Sequence, residues 1–123
     1  MVSGEKVENL RSFDDILIGQ RVSSLVFVED YSQIVFDDCI LTLFRWPEIC
    51  RSSLKIKFGD IEYRNLYCEI INKKVVTIEE TIEGTKIDFE NAISINLNEN
   101  ISDDSIIESG FLIEKKTNTM MSF

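Results

Sequence analysis

Ile18–Phe44 reads IGQRVSSLVFVEDYSQIVFDDCILTLF, and 53 residues further on Ile71–Leu97 reads INKKVVTIEETIEGTKIDFENAISINL. The two stretches align without a gap. They share Ile18/Ile71, Val22/Val75, Ile34/Ile87, Phe36/Phe89 and Ile40/Ile93, with similar residues at Arg21/Lys74, Leu25/Ile78 and Asp37/Glu90. Agreement of apolar positions and turn positions at one offset points to an internal duplication. Within each copy, Ile34 and Phe36, or Ile87 and Phe89, alternate with polar neighbours at the period of a half-buried strand. Asp37-Asp38 and Glu90-Asn91 follow, residue types that accept turn dihedrals, with Asn91 the better suited to positive φ. Ile93, Ile95 and Leu97 then resume the alternation, with Ser94 and Asn96 on the opposite face. Val75 and Ile78 break parity within their strand, which a bulge or a short helical start would explain.

Outward from this repeat, Val7, Leu10, Phe13 and Leu17 have helical spacing before copy one. Before copy two, Tyr63, Leu66, Tyr67 and Ile70 suit a helix or a strand. Ser52–Phe58 alternates strictly and reads as a fourth strand, with Phe111–Lys115 its weaker counterpart, and Thr117–Phe123 reads as a frayed tail. Ser102-Asp103-Asp104 looks like the capped start of a turn or helix. The expected fold is mainly β: a duplicated four-stranded unit, about eight strands in all, forming a sandwich or a partly open barrel with one or two short helices. The 123 residues make one domain, with pseudo-repeats at about 7–58 and 61–116.

The net charge of −9 is unevenly spread: Val75 to Glu114 holds ten acids and a single base, Lys86. Phosphate backbones repel such a surface, so direct nucleic-acid binding is not expected. A basic protein partner would be attracted and steered by it. No apolar run approaches the roughly 20 residues of a membrane span. Residues 1–6, MVSGEK, lack the apolar core of a signal peptide, and Cys39, Cys50 and Cys68 form an odd, widely spaced set. Reduced thiols in a cytoplasmic protein are therefore expected.

No histidine occurs in the chain, which excludes Ser-His and Cys-His nucleophile pairs and most zinc sites. No glycine-rich phosphate loop is present either. The paired carboxylates Asp14-Asp15, Asp37-Asp38, Glu79-Glu80 and Asp103-Asp104 are adjacent in sequence, so in a strand each pair would point to opposite faces. No catalytic residue, cofactor or metal is expected. Phe44-Arg45-Trp46-Pro47 holds the only tryptophan and the only proline. Trp46 suits either packing over the mouth of the sandwich or an interface anchor. Arg51, Lys55, Lys57 and Arg64 make the first half locally basic.

The cadence of Leu17-Ile18-Gly19, Val22, Leu25, Ile34, Phe36, Asp38, Ile40 and Phe44, echoed from Ile70 to Leu97, resembles small bacterial proteins found beside polymorphic toxin genes. It is also similar to immunity proteins of contact-dependent growth inhibition. This chain departs from that pattern in having Asp38-Cys39 and Asn91-Ala92 in place of a hairpin glycine. The resemblance implies a cytoplasmic protein that binds a cognate toxin, in particular a basic nuclease domain, and covers its active site or substrate groove. Glu79, Glu83, Asp88, Glu90, Asp103, Asp104 and Glu108 would then supply long-range attraction, with Trp46 or Tyr63 as an exposed anchor. The competing expectation is a structural or regulatory adaptor that homodimerises through sheet edges. A carboxylate-dependent enzyme is the least supported reading.

Overall fold

A computed structural model describes residues 13–81, 84–98, 110–114 and 119–122. Helix α1 (Phe13–Leu17) precedes a meander of β1 (Val22–Phe27), β2 (Ser32–Phe36) and β3 (Cys39–Leu43). A hairpin of β4 (Glu48–Arg51) and β5 (Leu54–Ile56) follows. Helix α2 (Tyr63–Cys68) then opens a second meander, β6 (Val75–Thr81), β7 (Gly84–Phe89) and β8 (Ile93–Asn98), and a second hairpin, β9 (Gly110–Glu114) and β10 (Thr119–Ser122). All pairings are antiparallel, and the strands form two open sheets ordered β1-β2-β3-β9-β10 and β5-β4-β8-β7-β6. The described residues thus have the mainly-β, two-sheet fold with two short helices that the periodicity pointed to, and the sheets do not close into a barrel.

The strand order shows how the halves are built into each other. Each meander is completed by the hairpin of the other half: β9–β10 docks on β3, and β4–β5 docks on β8. Neither sheet belongs to one sequence copy. Register repeats at the offset of 53: Val22 pairs with Phe36 and Val75 with Phe89, and Leu25 pairs with Ile34 and Ile78 with Ile87. Both first strands shift register at the same place, between Val22 and Ser24 and between Val75 and Thr77. This bulge resets parity, so that Val75 and Ile78 both turn inward.

Where the copies meet, an antiparallel bridge joins Arg21 to Lys74. Around it Gly19 N–H donates to the Val75 carbonyl (2.9 Å) and Asn72 N–H to the Val22 carbonyl (2.7 Å). Val22 N–H donates to the Lys73 carbonyl (2.9 Å), and Val75 N–H to the Gln20 carbonyl (3.0 Å). Each bond maps onto its counterpart when residues 53 apart are exchanged, so a pseudo-two-fold axis passes between Arg21 and Lys74. Gly19 (φ 91°) and Asn72 (φ 74°) occupy equivalent left-handed positions beside it.

The inward rows of both sheets make one core. Ile34, Phe36, Leu41 and Leu43 face Ile49, Ile87, Ile93 and Ile95, all essentially inaccessible, and Leu17, Tyr67 and Ile70 join them from the helical segments. Burying each such side chain contributes about 1.5–3 kcal/mol. In α2 the buried residues Tyr63, Leu66 and Tyr67 recur at the i, i+3, i+4 spacing of one helix face, which settles that segment as helix.

Four local expectations are corrected. Ten strands are described where about eight were expected, because β4 and β10 have compositions (Glu-Ile-Cys-Arg and Thr-Met-Met-Ser) with no clean alternation. Residues 119–122 of the supposed frayed tail pair with β9. The Ser52–Phe58 strand shrinks to Leu54–Ile56, since Ser52 (φ 56°) lies in the turn between β4 and β5. The left-handed turn residue after β7 is Ala92 (φ 68°), not Asn91, whose amide instead donates to the Glu69 carbonyl at 2.9 Å. Residues 7–12 and 99–109, including the anticipated cap at Ser102, lie outside the described residues.

Candidate functional site

The pleat sends Ile49, Ile95, Ile87 and Ile78 of the second sheet into the core, so their neighbours face the other way. Pairing sets those neighbours in two cross-strand rows. One runs Glu48–Asn96–Lys86–Glu79 from β4 to β6, and the other runs Lys55–Cys50–Ser94–Asp88–Thr77 from β5 to β6. This outer face is concave and encloses a cleft of about 740 Å³ whose lining includes Trp46, Cys50, Lys55, Phe58, Lys86 and Asn96. Its floor is well covered for the outside of a sheet: Ser94 is 7% exposed and Cys50 8%.

Both signs of charge stand on this face. The β5 side carries Lys55 and Lys57, and the β6 side carries Glu79, with Asp88 on the neighbouring strand β7. The Asn96 amide ties the floor together, donating to Glu48 Oε1 (3.1 Å) and to Cys50 Sγ (3.4 Å). Burial pushes the Cys50 thiol above its ordinary pKa, and the Glu48 carboxylate adds to this. The Ser94 hydrogen bond and the charges of Lys55 and Lys86 oppose it. A buried, protonated thiol at this position is a poor nucleophile.

Aromatic rings close one end. Trp46 stacks on Phe58 (centroids 4.5 Å apart, planes at 16°), and Tyr63 meets both edge-on. Phe27 joins Trp46 to Tyr67. This cluster breaks the pseudo-symmetry, because the positions 53 residues from Phe27 and Trp46 are Glu80 and Glu99.

The structure distributes the sequence-derived candidates unevenly. Glu79 is exposed on β6, directly across from Lys86, and lines the cleft. Asp88 shares the same face one strand away, accepting a hydrogen bond from the Thr77 hydroxyl (2.7 Å), with Lys86 Nζ at 3.9 Å. Glu90 is not with them. It sits in the turn near the pseudo-two-fold axis, and its Oε1 accepts the Lys74 N–H at 3.0 Å. Trp46 is half-buried, packed against the core and facing the cleft. Glu83, Asp103, Asp104 and Glu108 lie outside the described residues.

Tyr63 is a correction: it is 2% exposed and its hydroxyl donates to the Pro47 carbonyl, so it is a core residue and no exposed anchor. Burial raises the phenol pKa of both Tyr63 and Tyr67. Asp37 takes a two-pronged contact from Arg21 (2.8 and 3.2 Å), while Asp38 Oδ2 accepts from the Gln20 amide at 3.2 Å. Both acids of that pair therefore brace the meander near the axis. Among the described residues no group of three or more His, Cys, Asp or Glu is placed to hold a metal ion. No described helix is long and apolar enough to cross a membrane.

Sequence reading missed the gathering of Lys55, Lys57 and Lys86. Lys86 is the single base between Val75 and Glu114, and only the docking of β4–β5 onto β8 brings it to the cleft that Lys55 and Lys57 line. Comparison of the chain with known protein families, curated proteins and solved structures found no match.

Proposed function

We propose that this chain is a non-catalytic binding protein of the immunity type, which neutralises a basic toxin domain, a nuclease in particular, in the cytoplasm by covering its active site or substrate groove. The observation that carries this reading is the meeting of charge and shape on one face. Glu79 and Asp88 stand on the outside of the second sheet, in a chain of net charge −9, and the concave surface beside them ends in the Trp46–Phe58 stack. Carboxylates at the rim attract a basic partner from a distance, while a half-buried aromatic beside them supplies contact area.

The experiment is a kinetic one. The C-terminal domain of the protein encoded immediately upstream is captured as the candidate toxin, and association of this protein is followed over a series of salt concentrations. An association rate that falls about tenfold or more from low to high salt supports steering by these carboxylates. A flat rate, or no complex, refutes it.

A second reading is favoured by one observation. Strand β1 is an edge of the first sheet, with Val26 and, just past its end, Val28 partly exposed, an arrangement through which a homodimerising adaptor would pair. That reading requires a concentration-dependent dimer and no toxin complex.

A further inference from the structure

The outer cleft of the second sheet also carries lysines that a basic toxin would not use. Lys55 and Lys57 come from the β5 region and Lys86 from β7, with β4 and β8 forming the floor between them. Three strand spacings separate Lys55 from Lys86, about 14 Å on a flat sheet. Two extended lysine side chains span much of that distance, and concavity shortens it. Both charges act on the same Cys50 sulfur, which places them around one spot.

Lysines 55 and 57 are also unspent. Among the described residues Arg21 is paired with Asp37 and Arg51 with Glu69, whereas neither of these lysines has a carboxylate within ion-pair distance. Among the described residues Lys86 has Asp88 at 3.9 Å, a distance too long for a hydrogen bond. In a chain with 22 acids against 13 bases, the three lysines that line this cleft outnumber its two carboxylates, Glu48 and Glu79, a local exception to the charge of the molecule.

The floor adds neutral polar groups, the Ser94 hydroxyl and the Asn96 amide, and the end wall adds a flat apolar surface. Phe58 is 51% exposed and is held in place by its stack on Trp46, so a ring presented to a ligand is already ordered. A volume of about 740 Å³ is within the range that small-molecule sites occupy.

We propose that this cleft binds a small ligand made of a planar ring joined to an anionic group, with Lys55, Lys57 and Lys86 taking the anion and Phe58, backed by Trp46, packing on the ring. A nucleoside phosphate and an aromatic carboxylate share this chemistry. The proposal shares the cleft and the Trp46–Phe58 stack with the toxin reading but is carried by the lysines of the face and not by Glu79 or Asp88.

The chain carries its own reporter, because Trp46 is its only tryptophan and lines the cleft. The full-length protein is titrated with adenosine monophosphate, adenosine, benzoate, benzamide and inorganic phosphate. Trp46 fluorescence is followed, with calorimetry as a second readout. Saturable binding of adenosine monophosphate that adenosine and phosphate lack supports the proposal with a phosphate as the anion. Binding of benzoate that benzamide lacks supports it with a carboxylate. Lys55→Ala and Lys86→Ala are each expected to weaken binding about tenfold, as for a lost charge-assisted contact. Phe58→Ala is expected to weaken the ring-bearing probes, and Lys73→Ala to change nothing. Absence of saturable binding by every probe, equal binding of neutral and charged rings, or affinity unchanged in Lys55→Ala/Lys86→Ala overturns the proposal. Circular dichroism of each variant separates loss of binding from loss of fold.

Discussion

Tyr67 offers the sharpest physical test of the core. Its ring is inaccessible, and its hydroxyl lies 2.9 Å from the Ser32 hydroxyl, which is equally buried, so the pair satisfies itself between helix α2 and strand β2. Tyr67→Phe removes one partner and leaves the Ser32 hydroxyl dry and unpaired, at a cost of about 1–3 kcal/mol at neutral pH. Ser32→Ala strands the phenol in the same way. In Ser32→Ala/Tyr67→Phe nothing polar is left stranded, so the double variant should lose less than the two single losses together. The same burial acts on pH dependence. Desolvation raises the folded-state pKa of Tyr67 above the ordinary 10.0. A raised pKa means that the folded chain holds a proton which the unfolded chain releases. The stabilisation is complete below the unfolded value and drains away as pH rises through about 10 toward the folded value. By linkage the loss reaches about 1.4 kcal/mol one pH unit above the unfolded pKa. Urea unfolding from neutral pH into this alkaline range should show wild type falling more steeply than Tyr67→Phe by that amount. Parallel curves for the two proteins, or additive losses in the cycle, would refute a buried tyrosine–serine pair.

Two further substitutions test other parts of the fold. Gly19→Ala meets no atom within 4 Å, so its cost is the left-handed backbone alone (φ 91°), about 1–2 kcal/mol in urea unfolding, while Asn72→Gly relieves that strain at the equivalent site. Ile87→Ala empties the middle of the second sheet and should cost about 2–5 kcal/mol, whereas Val76→Ala, 49% exposed, should stay within about 0.5 kcal/mol by thermal unfolding.

The duplicated hydrophobic pattern made the meanders legible, because Ile34, Phe36, Ile87 and Phe89 mark inward positions whatever they pair with. The broken parity at Val75 and Ile78 was also legible, and its resolution is a bulge repeated at Val22. The exchange of hairpins between halves was not. Periodicity reports which face a residue takes and is silent on which strand lies beside it, so the Ser52–Phe58 strand read as belonging with its own meander. The same silence hid the cleft, since Lys55 and Lys86 are 31 positions apart and meet only through that exchange. For the acids, composition gave the charge of the half and not its geometry. Glu79 and Asp88 share a face, whereas Glu90 is taken up by the Lys74 backbone. Tyr63 was misjudged because an aromatic next to polar residues reads as exposed until the helix face it occupies is known.

The central claim is that carboxylates on the outer face of the second sheet direct this protein onto a toxin. The most direct measurement is survival of cells expressing the C-terminal domain of the protein encoded immediately upstream alone, with this protein, and with its Glu79→Lys/Asp88→Lys variant, each variant first checked for native thermal unfolding. Wild type is predicted to restore growth and the double variant to lose most of that protection. Toxicity that wild type fails to relieve, or full protection by the double variant, would contradict it.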